Sequence, residues 1–275
     1  MKQLRNIPRL GVGLGFRSEL KASIFMNSNQ IDFLEIIADH FLDPTYLKEE
    51  ELELLNQEFV LIPHGLNLSL GSAEGIDSLY LEKLAKLIEK IQPPYWSEHI
   101  AFTQASGIQI GHLAPLPFHR ETIRILCKNI EEVQKRISVP LILENITYTL
   151  DLPYHEMSEA QFLTEVLERT HCGLLLDVTN LYTNSVNHQY DPIAFLEQLP
   201  LDHIVQLHFS GGNWRNGILV DSHSDPTPEA IWNLMKEVCS RVPVKGIILE
   251  RDENIPLFQE LLQEINRARI ILESE

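Results

Sequence analysis

The chain is 275 residues long (31.6 kDa) and carries 22 Lys and Arg against 39 Asp and Glu, a formal charge of −17. With 44% hydrophobic and 22% charged residues it has the composition of a folded globular protein, which excludes a disordered chain. A pI near 5.0 argues against a protein that holds nucleic acid through phosphate contacts, because those need a Lys/Arg surface.

No run of about 18 apolar residues is present, so no membrane span is expected, and the stretch before Pro8 has no apolar run of signal-peptide length. Cys127, Cys172 and Cys239 are odd in number and far apart, and no C-x-x-C pair exists. That argues against a disulfide scaffold and against a thiolate zinc site. A reduced, cytoplasmic protein is the expectation.

Short apolar or β-branched runs recur in chain order at 10–16, 31–37, 59–65, 95–102, 139–145, 172–178, 203–209 and 244–250. Between them lie stretches of helical spacing. In 79–91, Leu81, Leu84, Ala85, Ile88 and Ile91 make one apolar face. Ser158 ahead of 160–169, and Thr227-Pro228 ahead of 229–241, have the chemistry of helix starts. A last helix is predicted over 255–272, with Leu257, Leu261, Leu262 and Ile265 on one side. Near-continuous apolar strands alternating with helices predict a parallel sheet covered by helices. Eight such units in about 250 residues fit a (β/α)8 TIM barrel, and with no linker in the sequence a single domain over 1–275 is expected.

Every strand after the first carries a ligand-type residue at or near its C-terminal end: Glu35, His64, His99, Glu144, Asp177, His208 and Glu250. In a (β/α)8 barrel these ends converge on the mouth where active sites lie. One such residue alone reads as a loop cap; seven in register do not. So many carboxylates around one axis would cost several kcal/mol per uncompensated ion, and cations would remove that cost. Imidazole with carboxylate and without thiolate suits Fe, Mn, Zn or Co. Three His and four carboxylates exceed one tetrahedral site, so at least two metals with a carboxylate bridge are expected, with Glu144 as the bridge.

A second cluster follows strand seven in GGNWRNGILVDSHSDP, where Asp221 and His223 sit two apart and Asn180 offers an amide oxygen; a polar loop of hydrogen-bonded turns is the competing reading. Gly11, Gly13 and Gly15 imitate part of a dinucleotide fingerprint, but the pattern is incomplete and close backbone packing is the better account. His112 and His119 flank APLP and read as surface histidines; Tyr148, Tyr182 and Trp214 are candidates for a substrate groove or for packing. Asp39 and His40, after strand two, are candidates for support of the site from behind.

The motifs GVGLGFR (11–17), HGLNLSLGSA (64–73), SEHIAF (97–102), LAPLP (113–117), LENITYTL (143–150), CGLLLDVTNLY (172–182), NHQYDP (187–192), LHFSGG (207–212), VDSHSDP (220–226) and LERDENIP (249–256) occur in order. Together they resemble the multinuclear non-haem iron-dependent oxidases, a family that includes the methanobactin-biosynthesis oxidase. The resemblance runs from about residue 8 to 265. It implies a xylose-isomerase-like TIM barrel holding two or three iron ions in a mixed Fe²⁺/Fe³⁺ state. It also implies O₂-dependent modification of a ribosomally synthesised precursor peptide, often at cysteine, and a separate small peptide-recognition partner protein. Carried over by motif, His64 and His99 would bind one iron and share Glu144 with a second, which Asp177, His208 and Glu250 would complete. Asn180, Asp221 and His223 would match a third. The chain departs from the family at Thr179, where Asn is common, and at Asp39-His40, where Glu-Asn is common.

The competing function is a redox-silent divalent-metal enzyme on the same barrel, of sugar isomerase or phosphodiesterase type. The endonuclease form wants a basic face, which the charge of −17 opposes. The isomerase form usually places a lysine near its metals, and Lys245 only begins strand eight. A metal-storage or scaffold role is a third, non-catalytic reading.

Overall fold

The computed structural model describes residues 2–105 and 107–274. Its strands are β1 (Gly11–Gly15), β2 (Leu34–Ile37), β3 (Leu61–Gly65), β4 (Trp96–His99), β5 (Phe102–Ala105), β6 (Ile108–Ala114), β7 (Leu141–Glu144), β8 (Gly173–Asp177), β9 (Ile204–Phe209), β10 (Gly211–Arg215), β11 (Ile218–Asp225) and β12 (Gly246–Leu249). Eight of them close a parallel barrel in the order β1-β12-β9-β8-β7-β4-β3-β2, and helices follow the strands around it. The chain is a TIM barrel, as the alternation of apolar runs and helical stretches predicts.

Side chains alternate across a strand, and in this barrel the alternation sorts two cores. The larger packs between strands and helices, from Val12, Leu14, Leu34 and Ile36 to Leu249. The smaller fills the barrel axis with Phe33, Ile62, Tyr95, Ile142, Leu175, Val205 and Ile248. Leu4 and Ile7, on and just after the short helix Lys2–Arg5, close it at the N-terminal end. Both faces of every barrel strand are therefore buried, which explains their near-continuous apolar sequences.

The first strand makes room for the axis. A Cβ on Gly13 would stand 2.4 Å from the Phe33 carbonyl and 2.8 Å from Ile248 Cδ1. Gly11, at φ +101°, lies against the Asp32 carboxylate, whose Oδ2 accepts from the Val12 amide at 2.7 Å. Gly11 and Gly13 thus serve close packing at the β1–β2 seam.

Four local expectations need correction. The run 95–102 is not one strand: the Ala101 carbonyl accepts from the loop amide of Gly71, and Phe102 opens an antiparallel hairpin of β5 with β6. The loop after β9 is also a hairpin, β10 with β11, turning at Asn216 and Gly217 with φ of 53° and 80°. An Asn-Gly pair between alternating residues is a strong short-range hairpin signal, and WRNGIL contains it. Ser158 does cap its helix, in a reciprocal box with Gln161, but Thr227 does not cap the next one; its hydroxyl donates to Glu264. The last helix starts at Phe258 rather than 255, which leaves Leu257 75% exposed and off the apolar face assigned to it.

Gly13→Ala is expected to lower stability by about 1–3 kcal/mol, because the contact it meets is backbone and cannot rotate away. Urea unfolding of the two proteins checks this; an unchanged midpoint contradicts the close-packing role.

Candidate metal centre

The strand period places the site. Glu35, His64, Glu144, Asp177 and Glu250 each stand two residues beyond an axis residue: Phe33, Ile62, Ile142, Leu175 and Ile248. Tyr95, just before β4, shares the inward face with Ser97 and His99 on it; on β9, Gln206 and His208 face inward. The axis is thus apolar at its base and densely polar at the C-terminal end, with register pairs His99–Glu144 and Asp177–His208 lying side by side.

These residues form two groups that share Glu144. The ligand atoms of His64, His99 and Glu144 lie within 4.8 Å of one another, as do those of Glu144, Asp177, His208 and Glu250. Glu144 Oε2 is 3.3 Å from His64 Nε2 and 3.2 Å from His99 Nε2, while its Oε1 is 3.5 Å from His208 Nδ1. Glu250 Oε2 stands 3.0 Å from the same Nδ1. Each imidazole is tied at its other nitrogen: His64 Nδ1 to Ser97 Oγ (2.7 Å), His99 Nδ1 to the Gly65 carbonyl (3.1 Å), and His208 Nε2 to Glu35 Oε1 (2.8 Å).

A third group sits beside them. His223 Nε2 is 2.8 Å from Asp221 Oδ1, out of hydrogen-bond alignment, and its Nδ1 meets Asp252 Oδ2 at 2.9 Å. The Asn180 amide nitrogen donates to the Asn145 carbonyl at 2.9 Å, which leaves its Oδ1 bare. Asn180, Asp221 and His223 line one cavity of about 340 Å³ together with His64, His99, Glu144 and Glu250. Asp177 and His208 are fully covered and do not reach its surface.

Buried polar atoms are normally hydrogen-bonded, yet Glu144 Oε2, Asp177 Oδ2, Asn180 Oδ1, His208 Nδ1, Asp221 Oδ1 and His223 Nε2 have no such partner. All face the shared spaces of the three groups. Oxygen and imidazole donors left bare in this way, with their far sides anchored, fit divalent or trivalent metal ions. Without a cation the charges are balanced by protons. Burial opposes charge on Glu144 and Glu250, but the neighbouring imidazoles hold both carboxyls below the usual range. Burial, with Asp221, Glu144 and Glu250 close by, pushes Asp177 up to about 8. Burial opposes a charged His99, and Glu144 and Glu98 outweigh it, taking the imidazole up to about 9; His208 and His223 are raised by their carboxylates in the same way. A metal binding here would displace these protons.

Residues 11–273 match the model of the RiPP precursor modification enzyme family MbnB/TglH/ChrH, enzymes that modify ribosomally synthesised peptides. The chain belongs to this family. Among its relatives, a UPF0276 protein of Streptomyces avermitilis is 38% identical over 99% of the chain, which spans 57% of that protein's length. One from Caulobacter vibrioides is 32% identical over 94% of the chain and 93% of its own length. Solved structures share the fold at low identity. D-psicose 3-epimerase from Clostridium cellulolyticum has a TM-score of 0.58 at 12% identity, covering 96% of this chain and 97% of that one. The 3-keto-D-glucoside 4-epimerase of E. coli has 0.57 at 11%, covering 94% and 99%. These likenesses show the fold alone, the same closed eight-stranded parallel barrel.

Within this MbnB/TglH/ChrH member, several supporting residues were missed or mis-sorted by residue pattern. Glu35 is not aimed at the shared spaces; it backs His208. Asn145 pairs with the backbone of Asp177 on both sides, through its amide at 3.1 Å and its carbonyl at 2.9 Å. Glu98 accepts from the amides of His99 (2.8 Å) and Leu68 (3.1 Å), fixing the loop after His64. Arg17 donates to Asp252 at 2.6 Å and so holds the acceptor of His223. Asn145, Glu98 and Asp252 each stand within two residues of a candidate ligand, the one signal that points to them.

Asp39 supports the same loop, accepting from the Leu66 amide (2.9 Å), the Asn67 side chain (2.8 Å) and the Tyr80 hydroxyl (3.0 Å); His40 is exposed. None of the groove aromatics lines the cavity. Tyr182 packs on the outer core, Trp214 is 63% exposed, and Tyr148 stacks on His188 while donating to Glu159 at 3.0 Å. His112 is exposed on β6, and His119 meets the Tyr154 carbonyl.

Burial pushes Glu159 up to about 7 from 4.5, against the opposing hydrogen bond from Tyr148. The folded state therefore keeps a proton that the unfolded chain sheds, and Glu159 contributes stability that is lost as pH rises through that window. Urea midpoints at about pH 5 and about pH 8 should fall less between the two in Glu159→Gln than in the wild type. An equal fall in both proteins contradicts the assignment.

Proposed function

We propose that this chain is a multinuclear non-haem iron enzyme that uses O₂ to oxidise a ribosomally synthesised precursor peptide, with cysteine as the residue modified. One observation carries the reading: four imidazoles, each anchored at one nitrogen, present the other toward the buried and bare oxygens of Glu144, Asp177 and Asp221. His64, His99 and Glu144 would hold one iron, and Glu144, Asp177, His208 and Glu250 a second. Asn180, Asp221 and His223 would hold a third. Bound iron in a mixed Fe²⁺/Fe³⁺ state supplies a Lewis acid and a one-electron redox partner for O₂ and for a substrate thiolate.

The protein's own residues prepare that chemistry. Ile37, Leu66, Leu113 and Ile146 give the cavity an apolar wall, which excludes water and strengthens the charges inside. At about 340 Å³ the cavity admits one side chain with its flanking backbone, so a substrate peptide enters as an extended segment. Among the described residues, Arg17 is the one Lys or Arg on that wall, and it is committed to Asp252. Lys245, the lysine weighed for an isomerase, lies just before β12 at the opposite end of the barrel. That arrangement favours the oxidase over the redox-silent alternative.

A small peptide-recognition partner protein belongs to the same reading. Ile108, Trp214 and Ile218 are exposed on the two hairpins, and Leu150 and Tyr154 are exposed on the loop after β7. These apolar side chains and the acidic surface suit a partner or peptide of complementary charge.

The purified protein is expected to hold more than one equivalent of iron. Glu144→Ala should deplete two sites together and lower peptide-dependent O₂ uptake by about 100-fold. Elemental analysis with an oxygen electrode checks both. Loss of a single iron contradicts the bridge, and full turnover with Zn²⁺ or Mg²⁺ alone contradicts the oxidase.

A further inference from the structure

The two groups that share Glu144 differ in charge, and the residue that widens the difference is none of the candidate ligands. Glu144, Asp177 and Glu250 bring three carboxylates to the space that His208 faces, whereas Glu144 alone serves His64 and His99. The outer partners follow the same division. His64 is backed by a neutral hydroxyl, and His99 by a neutral carbonyl. His208 is backed by the Glu35 carboxylate, at 2.8 Å from Oε1 and 3.0 Å from Oε2. Glu98 does put an oxygen 3.5 Å from His99 Nδ1, but both its oxygens already accept backbone amides.

Glu35 is itself held in place. The Gln206 amide donates to its Oε2 at 2.7 Å, and the Tyr95 hydroxyl donates to Gln206 Oε1 at 2.6 Å, which fixes the direction of that amide. Glu35, Tyr95, Gln206 and His208 are all buried. A chain of four buried side chains thus ends on one nitrogen of His208 and leaves Nδ1 facing Glu144 and Glu250. A carboxylate behind an imidazole makes the other nitrogen a stronger donor, and negative charge in a dry site favours the more highly charged cation.

We propose that Glu35 is a positioning residue which, through His208, lowers the reduction potential of an iron held with Glu144, Asp177 and Glu250. This group then keeps the ferric ion of a mixed-valence pair, and the His64/His99 group keeps the ferrous one. The proposal rests on the iron reading above and adds which group holds which charge.

The test is a redox titration of the full-length, iron-loaded protein, read by Mössbauer spectroscopy at fixed potentials. In the wild type two couples should separate. In Glu35→Gln the lower couple should move about 10- to 100-fold toward the ferrous form, or about 60–120 mV upward, while the upper couple barely moves. Tyr95→Phe keeps the carboxylate and releases only Gln206, so it should move the same couple in the same direction by less, and it serves if the first variant does not fold. A lower couple that stays put, or two couples that move equally, overturns the proposal while the iron reading stands. A wild type that holds no iron overturns both.

Discussion

The constraint on which this molecule depends is the burial of several carboxylates around one barrel axis. Glu35, Glu144, Asp177 and Glu250 are nearly inaccessible and lie among His64, His99 and His208 at the C-terminal end of the strands. Isolated charges in such a place cost several kcal/mol each, so the surrounding structure has to answer every one of them. Part of the answer is internal: Asp177 Oδ1 accepts from the Asn180 amide, and Gln206 and His208 satisfy Glu35. The remainder is a set of bare oxygen and imidazole atoms facing the same small spaces, a donor set that fits metal ions.

The fold supplies this arrangement through simple geometry. Parallel strands present alternate residues to the axis, so an apolar plug and a polar rim are written two residues apart on the same strand. Gly13 in β1 admits Phe33 at the base, His64 and His99 are each oriented by a group on the adjacent strand, and His208 is oriented by Glu35 from β2 across the barrel. The third group is built differently. Asp221 and His223 ride on the hairpin strand β11, with His223 at φ +49°, and are tied down through Asp252 and Arg17. Ligand sets on barrel strands are held more rigidly than sets on loops, so the first two groups have the firmer frame.

Much of this was legible in the sequence because strand ends in a parallel barrel converge wherever the strands are recognised. His64, His99, Glu144, His208 and Glu250 could be placed at one mouth from period and order alone. Glu35 was mis-sorted because a ligand and its support share residue type and strand position; only the direction of the carboxylate separates them. Arg17 and Asp252 are 235 residues apart, so no spacing rule joins them. The hairpins were read as loops because short, polar strands with a bulge carry little periodicity, although Asn216-Gly217 marked one turn. Thr227 shows the converse: correct chemistry for a cap, redirected by a tertiary partner, Glu264.

The central claim is that two ions of iron lie on either side of Glu144. Anomalous diffraction at the iron edge, from crystals of protein purified without added metal, tests it most directly. The account predicts two peaks flanking the Glu144 carboxylate, one beside His64 and His99 and one beside Asp177, His208 and Glu250. A single peak, or peaks that appear at the zinc edge and not at the iron edge, would contradict it.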